Sequence, residues 1–103
     1  MVETVIRKRI EILVDTPLIP HIIDLLKKVD MSGWSVIHVD SGGGRDGEWS
    51  DDDFTGASAK SIILVIASEE KTNNLVDLIA PILDSHRLLL TVANVAVVRG
   101  HKF

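Results

Sequence analysis

The sequence predicts an α+β sandwich, and three observations carry that reading. Four short apolar segments have strand length and strand residues. Two longer segments repeat their apolar residues at helical spacing. Their order is β-α-β, a long interruption, then β-α-β. That is the split βαβ pattern of a ferredoxin-like sandwich, four antiparallel strands with two helices on one face.

The elements follow in order. Val5–Val14 alternates: Ile6, Ile10, Ile12 and Val14 share one face, and Arg7, Arg9, Glu11 and Leu13 the other. Asp15-Thr16-Pro17 reads as a helix start, with Asp15 or Thr16 as cap and Pro17 in the first turn. Leu18, Ile19, Ile22, Ile23, Leu25, Leu26 and Val29 continue at helical spacing, Lys27 and Lys28 suit the last turn, and Gly33 is the expected stop. Trp34–Val39 is a second strand and Ser61–Ala67 a third, apolar on both faces. Ser68 is the expected cap of the second helix, with Glu69 and Glu70 in its first turn. Leu75, Val76, Leu78, Ile79, Ile82 and Leu83 form its apolar stripe, and Pro81 is expected to kink or tighten its C-terminal half. Leu88–Val98 is the last strand. Helices on one face leave the other face apolar and bare, so that face is expected to pack against further copies of the chain.

The interruption, residues 40–60, is the unusual stretch, expected to be one long loop without helical or alternating pattern. It holds five of the seven glycines. A loop that long in a small domain is normally functional. Within it, Gly42-Gly43-Gly44-Arg45 combines close backbone approach with a planar cation, a combination suited to phosphate or carboxylate. No Walker loop and no dinucleotide fingerprint is present. Glu48, Trp49, Asp51, Asp52 and Asp53 read as a presentable loop tip, with Trp49 either a partner anchor or folded back on its own subunit. Arg99, Gly100, His101 and Lys102 place a second basic cluster after the last strand. In an oligomer that cluster can join Arg45 of another copy.

Bulk composition agrees with a single domain, 1–103, with an aliphatic core. Hydrophobic residues are 46% of the 103, aromatics 4%, and the net charge is −4. An acidic chain lacks the footprint of a general nucleic-acid binder. There is no cysteine, no histidine pair at ligand spacing and no Ser/His/Asp order, so neither a metal centre nor an enzyme is expected. The absence of a signal-peptide pattern or a long apolar run makes a soluble, cytoplasmic protein the expectation.

The chain resembles the PII signalling proteins. Gly33-Trp34-Ser35-Val36 is similar to their Gly-x-Thr-Val entry to the second strand, and Gly42-Gly43-Gly44-Arg45 to the Gly-x-Gly-Arg at the base of their T-loop. Two features depart: Asp84-Ser85-His86-Arg87 lacks the glycines and lysine of the ATP-gripping B-loop, and no tyrosine exists for uridylylation. Val98-Arg99-Gly100-His101-Lys102-Phe103 instead resembles the ending of PII-like proteins tied to inorganic carbon, the SbtB and carboxysome-associated groups. The resemblance implies a non-enzymatic homotrimer with adenine nucleotide (AMP, ADP or cyclic AMP) between subunits. It implies bicarbonate as a further ligand for the carboxysome-associated group. It also implies a T-loop at about 40–60 that regulates a bicarbonate transporter or another carbon-metabolism protein. It implies a cytoplasmic protein that is carboxysome-associated or recruited to the inner membrane by a transporter. Ser35, Gly43, Gly44, Arg45, Arg87, Arg99, Gly100 and His101 are the nucleotide residues it implies. A CutA-like metal-binding trimer, which shares the fold, and a small nucleotide-hydrolysing enzyme are the alternatives.

Overall fold

The computed structural model describes residues 2–45, 47–50 and 59–99. Strand β1 (Thr4–Asp15) leads through a 3-10 turn (Thr16–Leu18) into helix α1 (Ile19–Lys28). Strand β2 (Ser35–Val39) follows, then a hairpin of β3 (Ser41–Gly44) and β4 (Gly47–Ser50). Strand β5 (Lys60–Ala67), helix α2 (Glu69–Leu83) and strand β6 (Leu89–Val98) complete the order. The main sheet runs β2-β5-β1-β6 with every neighbouring pair antiparallel, which is the ferredoxin-like arrangement.

The alternation predicted for β1 decides where the core lies. Ile10, Ile12 and Val14 are fully buried and meet Val65, Ile63 and Ser61 across the β1–β5 ladder. Ile22, Leu25 and Leu26 of α1 and Leu75 and Ile79 of α2 close over them. The opposite face carries Leu13, Ile62, Leu64 and Ile66, all half-buried, with Ile37 46% and Leu89 57% exposed. It is the apolar face without helices that the sequence leads one to expect. Ile6 lies on the helix side as predicted, yet it is 62% exposed, where β1 and β6 run on past the end of β5.

Three local expectations change. Residues 41–50 are not an unpatterned loop: Ser41, Gly42, Gly43 and Gly44 pair with Ser50, Trp49, Glu48 and Gly47. Asp15 does not cap the first helix by its side chain. Its carboxylate accepts from Lys60 Nζ at 2.6 Å instead, and Thr16 Oγ1 lies 2.9 Å from Ser61 Oγ. Gly33 is not the stop: α1 ends at Lys28, and Asp30 takes the left-handed conformation (φ 59°) while its backbone N–H bonds Lys27 O. Helix α2 runs on through Pro81 to Leu83; the bond a proline cannot make, to the Asp77 carbonyl, is lost on the exposed side. Ser68 does cap α2, its Oγ accepting from the Lys71 backbone N–H at 3.2 Å.

Candidate functional site

Both stems of the long excursion are fixed at one end of the sheet. Val39, Lys60 and Asp15 stand side by side there in the β2-β5-β1 ladders. Thr16 N–H donates to Ala59 O at 3.0 Å, so the returning stem is tied to the end of β1. The fully buried Ser61 Oγ sits between Thr16 Oγ1 at 2.9 Å and His38 Nδ1 at 3.3 Å. His38 precedes the excursion and Ser61 follows it. This hydroxyl pair with an imidazole therefore clamps entry to exit.

The hairpin explains the glycines. Gly42 and Gly44 face the same way, and without side chains they leave a shallow bed on β3. The Trp49 indole lies in that bed. A Cβ on Gly42 would collide with the ring, approaching Cε2 at 2.8 Å and Cη2 at 2.9 Å, and one on Gly44 would touch Cζ3 at 3.7 Å. On the other face of β3, Glu48 Cγ covers Gly43. Lys60 Nζ stands 5.1 Å from the Trp49 ring, held there by Asp15. So β5 of the main sheet grips the hairpin through one cation–indole contact. That contact contributes about 0.5–2 kcal/mol. Against it, Trp49 Nε1 is buried with no hydrogen-bond partner, which costs about 1–3 kcal/mol. The opposing magnitudes are similar, so the packing of the ring on Gly42 and Gly44 decides the balance.

The nucleotide residues named from the sequence do not meet within one chain. Arg45 is exposed in the turn after β3, at the far end of the hairpin from the sheet rather than at the loop base. Ser35 is exposed at the start of the edge strand β2, level with Leu64 and Glu11. Arg87 has left-handed backbone (φ 53°) in the turn before β6, at the stem end of the sheet but on its opposite edge, about 14 Å across. Arg99 is also left-handed (φ 62°), beyond the other end of β6, where Val98 pairs with Thr4. The ten residues of β6 separate Arg87 from Arg99 by about 30 Å. Asp51, Asp52, Asp53, Gly100 and His101 lie outside the described residues. Sequence reasoning missed Asp15 and Lys60, whose pairing across 45 positions leaves no local signal. Among the described residues no group of three or more His, Asp or Glu is placed to hold a metal ion. No helix among them is long and apolar enough to cross a membrane.

A βαββαβ sandwich with a long excursion anchored between its second and third sheet strands defines a class: the ferredoxin-like regulators whose loop leaves the sheet edge. The family model for nitrogen regulatory protein P-II matches residues 7–102, and the chain belongs to that family. Among solved structures it is similar to CPII, a nitrogen regulatory PII-like protein from Thiomonas intermedia K12, bound to ADP, AMP and bicarbonate. The identity is 23%, the TM-score 0.90, and the match covers 100% of this chain and 98% of that one. CPII bound to ADP and bicarbonate gives 22% identity and a TM-score of 0.87, over 100% and 99% of the two chains. A PII-like signalling protein from Thermus thermophilus is 20% identical with a TM-score of 0.82, over 98% of each chain. At these identities the likeness concerns the fold. No curated protein matches the sequence.

Proposed function

We propose that this chain is a PII-like regulator, not an enzyme, that binds an adenine nucleotide of the AMP or ADP class in clefts between the subunits of a homotrimer. The observation that carries the reading is the separation of its basic residues. Arg45 and Arg99 extend from different strands and different ends of one chain, so a pocket using both takes them from two copies. The bare apolar face of the sheet supplies the surface on which copies would join. CPII, of the same fold over the whole length, is bound to ADP, AMP and bicarbonate, which supports this ligand class and bicarbonate as a second ligand.

In this reading Ser35 lies beside the ribose and adenine. Gly43, Gly44 and Arg45 meet phosphate, Arg87 stands in for the absent B-loop lysine, and Arg99, Gly100 and His101 close the cleft from the next subunit. The ligand biases the loop between two arrangements, only as far as it binds them unequally. Glu48, Trp49, Asp51, Asp52 and Asp53 then present themselves to a partner, a bicarbonate transporter or another carbon-metabolism protein. An acidic tip suits the Lys- and Arg-rich cytoplasmic loops of such a transporter.

Calorimetry with ADP, AMP, cyclic AMP and ATP, with and without bicarbonate, tests this directly. ADP or AMP is expected to bind, and Arg45→Ala to weaken it by about 10–100-fold with the trimer intact, as for loss of a charge-assisted bond. Unchanged affinity in Arg45→Ala would remove Arg45 from the pocket. Absence of binding up to millimolar nucleotide would sink the reading.

A further inference from the structure

The indole of Trp49 occupies the glycine bed that an anion would need. We propose that Trp49 is a built-in competitor of the phosphate ligand: with the indole docked the Gly42–Arg45 segment is closed, and ligand binding expels it. This rests on the nucleotide reading above.

Three observations lead there. The ring covers β3 from Gly42 to Gly44, the positions whose missing side chains would let a phosphate approach the backbone. The segment is also committed to a ladder, with Gly42, Gly43 and Gly44 opposite Trp49, Glu48 and Gly47. In an antiparallel ladder alternate residues turn their N–H groups to the partner strand, so the hairpin and an anion cradle draw on the same donors. Finally, among the described residues the docked indole meets one charged group, Lys60, and its own N–H is buried and unpaired. A buried donor without an acceptor is a cost of the docked state that exposure to water removes. Expulsion frees that N–H, and it frees Trp49 for a partner at the moment the ligand is bound.

The test uses two variants that undock the ring by different routes. Trp49→Ala removes the competitor. Lys60→Gln leaves the ring and the glycines unaltered but removes the cation that holds the indole. Both are expected to bind ADP at least about fivefold more tightly than the wild type, the lower range of coupling between sites. In a Trp34→Phe background, Trp49 fluorescence is expected to be shielded from acrylamide without ligand and exposed on adding ADP. Unchanged or weaker ADP binding in both variants overturns the competition while leaving the nucleotide reading in place. Trp49 freely quenched before ADP is added also overturns it. If neither wild type nor variants bind ADP, the nucleotide reading falls and the competition with it.

Discussion

At the scale of single residues, what could be read in advance depended on how far away the partner sits. Ser68 and its acceptor bond lie within four residues of chain, and its role as cap was legible. Ser68→Ala is expected to cost about 1 kcal/mol, lowering the melting temperature by about 4–8 °C in a domain this size, measured by thermal circular dichroism. Asp15 looked like a cap for the same local reasons, yet it turns to Lys60. An oxygen placed to cap a helix is equally placed to meet an ammonium on the next strand, and only the sheet register decides which it meets. Both partners are partly exposed, so Asp15→Asn should cost no more than about 1 kcal/mol in stability. Its larger expected effect is on Lys60, which loses the carboxylate that holds it over Trp49; acrylamide quenching of Trp49 should rise in that variant. The trio Thr16, Ser61 and His38 was invisible for the same reason, since it joins three segments far apart in sequence.

At the scale of elements, the strands and helices were legible because their faces are. The buried and half-buried residues of β5 alternate without a break, and the buried set includes Ile63 at the centre of the sheet. Ile63→Ala is expected to cost about 2–5 kcal/mol, read as a fall in the denaturant midpoint with unchanged slope. The β3–β4 hairpin was not legible. Three consecutive glycines have low strand propensity and no side-chain period, so nothing in Gly42–Gly44 signals a strand. The signal lies in the pairing. Gly42 and Gly44 are strand residues because Trp49, opposite Gly42, fills the space their side chains would take. An aromatic residue that supplies from one strand the surface its glycine neighbour lacks is a known device for holding glycine in a sheet. The same glycines therefore serve two readings, a bed for the indole and an approach for an anion, and the two are mutually exclusive.

At the scale of the whole molecule, the proposed cleft would take only part of its residues from one chain. Its apolar face is large and its basic residues point to different ends. Ile62 and Leu64 lie on that face, half-buried, with their neighbours Ile37 and Leu13. Replacing Ile62 by Asp is expected to dissociate the trimer, seen as a fall in mass by sedimentation equilibrium, because a charge buried between apolar faces lacks a partner. The fold and this face were legible from alternation and element order. The placement of Arg45 at the hairpin turn was not, because it depends on strand pairing that the sequence conceals.

The central claim is that the nucleotide cleft is shared between copies, and a mixing experiment addresses it. Arg45→Ala and Arg99→Ala chains, each deficient in ADP binding alone, are unfolded together and refolded as mixed trimers. A cleft that takes Arg45 from one copy and Arg99 from the next is whole wherever an Arg99→Ala chain supplies the first and an Arg45→Ala chain the second. Random mixing makes that true for roughly a quarter of the clefts in a closed ring. Calorimetry of the mixture should therefore recover wild-type affinity for ADP at roughly a quarter of the sites. A mixture that binds no better than either variant alone would contradict the account.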